Sequence, residues 1–100
     1  MLDDIKEKIT VGLIDTWSFD SDGDFTHSPS QWNRKAWLRS YVNEKELIMG
    51  IVARKDEKMS KVVYAVYHGR FAEMLLTHFD LMINEIDITS LAQPEYDSID

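Results

Sequence analysis

Residues 46–83 read ELIMGIVARKDEKMSKVVYAVYHGRFAEMLLTHFDLMI and carry the strongest structural signals in the chain. They begin with a short apolar run at 47–53, and a second run at 62–67 is rich in β-branched and aromatic residues. Both runs have the length and composition of β-strands. The polar residues between them are few enough for a hairpin connection. We therefore predict that the two runs pair as a β-hairpin.

The spacing of apolar residues changes after His68 and Gly69. From there they recur at intervals of three and four, at Phe71, Met74, Leu75, Phe79 and Met82. This is the spacing of one face of an amphipathic helix. The pattern predicts a helix at about 70–83 that packs across the hairpin.

Upstream, residues 2–8 have the spacing of one or two helical turns. Apolar and polar residues then alternate over 9–19, which predicts a half-buried strand with an irregularity near Asp15. The cluster Asp20-Ser21-Asp22-Gly23-Asp24 is typical of a turn.

Residues 28–42 allow two interpretations. Ser28, Pro29 and Gln31 have the order of a helix start, but a helix continued to residue 42 would scatter its apolar side chains around the axis. A helical turn at 28–33 followed by a strand at 36–42 is the interpretation we favour. That strand would place Trp37, Arg39 and Tyr41 on one face.

These elements predict an α+β fold with an antiparallel sheet of about four strands and one principal helix on one face. One hundred residues suffice for a single compact domain, 1–100. Residues 85–89 alternate as a short edge strand would, and 93–100 have the composition of a frayed acidic tail.

Several classes of function lack their signatures in this sequence. There are no cysteines, no long apolar segment and no signal-peptide pattern, so we expect a cytoplasmic protein that does not enter membranes. No histidine pair has the spacing of a helical metal site, and the aspartates at 20–24 lack the Gly and Glu of a calcium loop. No catalytic motif is present. We therefore expect a protein that is not an enzyme and uses neither cofactor nor metal.

Charge is unevenly distributed along the chain. Residues 1–33 carry a net charge of −5, residues 34–70 carry +5 and residues 71–100 carry −7. Folding can either separate these blocks in space or mix them again. If they stay separate, their fields will act on binding partners.

The leading hypothesis is a small acidic protein-binding module, an inhibitor or adaptor that binds a basic protein partner. Phage-encoded inhibitors of host defence that mimic nucleic acid, such as anti-CRISPR proteins, have this size and charge. The candidate partner-binding residues are acidic or aromatic, with one arginine: Asp20, Asp22, Asp24, Glu73, Asp80, Glu85, Asp87, Trp32, Trp37, Arg39 and Tyr41.

Two alternatives stay open. Aromatic and basic residues alternate over 32–41, which is a pattern that single-stranded nucleic-acid-binding domains use for stacking and phosphate contacts. A strand edge could also pair with a second copy of the chain to form a homo-oligomer.

Overall fold

The computed structural model describes residues 2–42, 46–55 and 58–82, together with Ile86 and Asp97. Its elements, in chain order, are α1 (Leu2–Thr10), β1 (Trp17–Phe19), β2 (Phe25–His27), β3 (Ala36–Val42), β4 (Leu47–Ala53), α2 (Lys61–Phe79) and a 3₁₀ turn (Asp80–Met82). The four strands form one antiparallel sheet in the order β1-β2-β3-β4. The long helix α2 packs on this sheet, so the predicted α+β class is confirmed.

The hairpin of β3 and β4 forms the larger half of the sheet. It pairs Ala36 with Ala53 at one end and Val42 with Leu47 at the other. The prediction of strands at 36–42 and 47–53 is therefore confirmed. A single helical turn precedes β3, in which the amides of Trp32 and Asn33 both donate to the Pro29 carbonyl.

The prediction of a strand at 62–67 is wrong, because these residues form the first two turns of α2. Ser60 caps the helix: its backbone is extended and its side chain accepts the Val63 amide at 3.0 Å. Tyr67, at the end of the apolar run, and Phe71, one helical turn later, form a buried stripe, while Gly69 lies on the exposed side. Burial of this stripe outweighs the modest helix cost of the β-branched residues.

The prediction of a long strand at 9–19 is also wrong. Helix α1 ends in a Schellman motif, in which Leu13 N–H donates to the Lys8 carbonyl at 2.9 Å and Gly12 N–H donates to that of Ile9 at 3.1 Å. Gly12 has φ of 84°, the left-handed conformation that this motif requires. Val11 and Leu13 are 64% and 65% exposed, so their alternation reflects no buried sheet face.

The sheet reaches four strands through a shorter hairpin that the sequence analysis missed. Strand β1 covers only Trp17–Phe19, and β2 at Phe25–His27 lies in a stretch where no strand was predicted. Both strands contribute large side chains to the core. Trp17 meets Tyr67 and Phe71 edge to face, with ring centres 5.6 and 4.9 Å apart, which fixes α2 over this hairpin.

A buried hydrogen-bond network joins α2 to the segment before β3. The hydroxyl of Tyr67 donates to the Trp32 carbonyl and lies 2.9 Å from Oγ1 of Thr26. Thr26 Oγ1 also accepts the Arg34 amide at 3.0 Å and lies 2.9 Å from the Ala36 carbonyl. Arg34 has φ of 59°, so this network holds a non-glycine residue in the left-handed region.

The far edge of the sheet is strand β4. The Ile51 amide donates to Oδ1 of Asp97 at 2.8 Å. Apart from Ile86 and Asp97, the predicted edge strand at 85–89 and the predicted acidic tail at 93–100 lie outside the described residues. Within the described ranges, no helix is long and apolar enough to cross a membrane.

The position of Gly69 gives a direct test of α2. A Cβ atom added there would meet nothing within 4 Å, and the residue sits in the helix interior. Gly69→Ala should raise the free energy of unfolding in urea by about 0.5–1 kcal/mol, because alanine loses less backbone entropy in a helix. Gly12→Ala is the matched control and should destabilise the protein, since its backbone has positive φ. A destabilising Gly69→Ala would contradict the helix.

The Tyr67 network can be tested with a double-mutant cycle. Tyr67→Phe removes a hydroxyl from a fully buried side chain, and the loss of unfolding free energy should be about 1–3 kcal/mol. Thr26→Val removes the adjoining hydroxyl. Because the two groups share one network, their effects should deviate from additivity by at least about 0.5 kcal/mol. Strict additivity would show that the hydroxyls act independently.

Candidate partner-binding surface

The acidic turn, residues 20–24, connects β1 to β2. The Gly23 amide donates to the Asp20 carbonyl at 3.0 Å, and the Asp20 amide donates to the Asp24 carbonyl at 3.1 Å. Oδ1 of Asp20 accepts the amides of Asp22 and Asp24, both at 3.0 Å. The Asp20 side chain therefore stabilises the turn. Aspartates commonly accept backbone amides in turns, which is why this composition predicted one.

Asp24 forms an ion pair with Arg39. It is buried, and its two carboxylate oxygens accept Nε and Nη2 of Arg39 at 3.1 and 2.8 Å. This bidentate geometry adds direction to the charge attraction. The hydrogen bonds that Arg39 donates to Asp24 raise the pKa of the guanidinium above its ordinary value, so it stays charged. The pair links the acidic turn to the middle of β3.

Trp37, Arg39 and Tyr41 point away from the core and form what we call the outer face. Ala36 and Leu38 are buried on the opposite side, where α2 packs. The register places Val52 beside Trp37 and Ile48 beside Tyr41. The two aromatic side chains are half-buried, and neither described helix packs over them. The prediction that these three residues share a strand face is confirmed.

A second cation, Lys6, lies beside the acidic turn. Lys6 Nζ lies 3.1 Å from the point where a Cβ of Gly23 would sit, and it lies 5.6 Å from the centre of the Phe19 ring. Carboxylate oxygens of Asp20, Asp22 and Asp24 lie within 4.8 Å of one another. A metal ion would nevertheless compete with Arg39 for Asp24, because both oxygens of that carboxylate are committed.

A basic group lies at the other end of the β3–β4 hairpin. Because Ala36 pairs with Ala53, this end of the hairpin is flanked by Lys35 before β3 and by Arg54 after β4. Lys55 and Lys58 lie in the connection to α2, whose first residue is Lys61. This connection also contains two acidic residues, at 56 and 57, which lie outside the described residues.

The structure separates the other predicted site residues from this surface. Glu73 lies on the exposed side of α2, where it pairs with Arg70 at 3.2 Å. Asp80 is exposed at the C-terminal end of α2. Trp32 is half-buried and packs against the core. Glu85 and Asp87 lie outside the described residues.

A cleft of about 420 Å³ is a feature that sequence reasoning missed. It lies between the loop after α1, the helical turn at 29–32 and α2, and its lining includes Asp15, His27, Trp32, Arg70 and Glu73. These residues are far apart in sequence, so no local sequence motif indicates the cleft. His27 is buried, and its Nδ1 lies 2.8 Å from the Thr16 carbonyl.

Comparison with known protein families, with curated protein sequences and with solved structures finds no match to this chain.

Burial lowers the pKa of His27 below 6.5, although the hydrogen bond to Thr16 opposes that shift. The unfolded chain therefore binds more protons than the folded protein just below pH 6.5. The free energy of unfolding should fall as the pH drops from about 7 to 5.5, by at most about 1.4 kcal/mol per unit. In His27→Asn, an amide replaces the imidazole as donor to Thr16 and the profile should be flatter. Equal slopes in urea titrations of the two proteins would contradict this assignment.

Proposed function

We propose that this protein is a non-enzymatic protein-binding module that docks through the outer face onto a partner with a basic surface. The observation that carries the proposal is the position of Trp37 and Tyr41. Both lie on a sheet face that the described helices leave uncovered, on either side of an arginine. Tryptophan, tyrosine and arginine are the residues that most often anchor protein interfaces.

The ion pair between Asp24 and Arg39 supports binding by this face. Two hydrogen bonds hold the guanidinium in one orientation before any partner arrives. Binding then costs less side-chain entropy than it would with a mobile arginine. The aromatic rings contribute large apolar areas with few rotatable bonds, which lowers the same cost.

The preference for a basic partner rests on Asp22. This residue is exposed in the acidic turn, and its charge acts on Arg39 in the outer face. Carboxylates at the rim of an interface favour a partner of opposite charge and speed its approach. Mimicry of a nucleic acid draws little support from this turn, because Arg39 neutralises Asp24, one of its three carboxylates.

Binding of single-stranded nucleic acid by the same face is the second candidate. The basic residues that flank this end of the hairpin favour it, since Lys35 precedes β3 and Arg54 follows β4 where Ala36 pairs with Ala53. Aromatic stacking next to phosphate-binding cations is how such domains hold single strands. The overall net charge of −7 opposes the approach of a polyanion.

Affinity capture with designed variants tests the proposal. The tagged protein is incubated with a lysate of the organism that makes it, at low and at high salt, with and without nuclease. Trp37→Ala and Tyr41→Ala should each weaken capture of the partner by roughly tenfold or more. Asp22→Lys should weaken it most at low salt, because the rim charge is screened at high salt. Asp22 suits reversal better than Asp20 or Asp24, which hold the turn and Arg39.

Matched controls lie on α2. Leu76→Ala removes an exposed apolar side chain, and Asp80→Lys reverses an exposed charge, both away from the outer face. Capture by these two variants should equal that of the wild type, and circular dichroism should show that every variant is folded. A partner lost equally from the control variants would refute docking by the outer face. Capture that disappears on nuclease treatment would favour the nucleic-acid candidate.

A further inference from the structure

The cleft beside α2 is separate from the outer face and has its own chemistry. Its walls are partly apolar, with Pro29, Trp32 and Met74, and partly polar. A volume of about 420 Å³ falls within the range of small-molecule sites, which begins near 300 Å³. The cleft therefore has room for a compact organic molecule.

His27 supplies an acceptor to this cleft. Its side chain lines the cleft but is only 5% exposed, so the ring is held by its surroundings. The Thr16 carbonyl can only accept, so Nδ1 of His27 carries the hydrogen at 2.8 Å. The neutral ring then presents Nε2 as an acceptor, and the described residues give Nε2 no hydrogen-bond partner.

The fixed charges of the lining favour a cation. Asp15 and Glu73 contribute two carboxylates, against one guanidinium from Arg70. The contact between Arg70 and Glu73 is long, at 3.2 Å, and both side chains are more than half exposed. Such a surface pair is weak, so a competing donor can share Glu73 at little cost.

We infer that this cleft binds a small organic ammonium ion, a protonated primary amine with an apolar body. Its N–H groups donate to Nε2 of His27 and to the carboxylates of Asp15 and Glu73. Its apolar body lies against Trp32 and Met74. The ammonium group matches both the acceptor excess and the net negative charge of the lining, whereas a carboxylate would meet two like charges.

An NMR titration of the ¹⁵N-labelled full chain with three related compounds tests this inference. 2-Phenylethylammonium is the cationic probe, 2-phenylethanol the neutral one and phenylacetate the anionic one. The cation should shift amide resonances of Asp15, His27 and Glu73, with Kd on the order of 1 mM for about nine heavy atoms. The neutral probe should bind at least about tenfold more weakly, and phenylacetate more weakly still.

Two exposed lining residues allow conservative variants that keep the fold. Glu73→Gln and Asp15→Asn should each weaken binding of 2-phenylethylammonium by about threefold to tenfold. Asp80→Asn is the control, since it removes an exposed carboxylate outside the cleft lining. His27→Asn tests the acceptor and should abolish the preference for the ammonium probe over the alcohol.

Three outcomes would overturn the inference. The first is the absence of amide shifts in the cleft at 10-fold excess over the expected Kd. The second is equal affinity for the cationic and anionic probes. The third is a set of shifts confined to the acidic turn at 20–24, which would show that the ammonium ion responds to carboxylates in general.

Discussion

The hydroxyl of Tyr67 is the contact on which both candidate surfaces depend. It donates to the Trp32 carbonyl and lies within hydrogen-bond distance of the Thr26 hydroxyl. That hydroxyl accepts the Arg34 amide and contacts the Ala36 carbonyl. One buried group therefore positions the helical turn that forms a wall of the cleft and the residue that starts β3. A change of register at Ala36 by one residue would move Trp37 and Tyr41 from the outer face to the core.

The two faces of β3 make different contacts within the chain. Leu38 packs under α2, while Arg39 on the opposite side forms an ion pair with Asp24. The Asp24 carboxylate is buried, and without Arg39 its desolvation would oppose folding. The pair therefore constrains the acidic turn and the strand to one relative orientation. The binding that we propose for the outer face uses the neighbouring residues Trp37, Tyr41 and Asp22 as well.

The sequence predicted the parts of the fold where local pattern and tertiary burial agree. The strand at 36–42 alternates at its start because one side of it faces α2, and the strand at 47–53 is a continuous apolar run that pairs with it. At 62–67 the β-branched composition led to the wrong prediction of a strand. The Ser60 cap and the burial of Tyr67 and Phe71 stabilise a helix there instead. The cleft lay beyond sequence reasoning, because Asp15, His27 and Glu73 meet only after α1, β2 and α2 have packed together.

The positions of Lys35 and of the acidic turn relative to β3 favour a protein over a single strand as the partner that we propose for the outer face. Lys35 lies four positions before Arg39, the residue that pairs with Asp24, which is about 13 Å along the chain at 3.3 Å per residue. That distance exceeds the screening length at physiological salt, about 8 Å, so each end acts on its own part of a partner. A polyanion would be attracted at Lys35 and repelled at Asp22. A protein surface can offer opposite signs at the two ends, which is why we propose a protein partner.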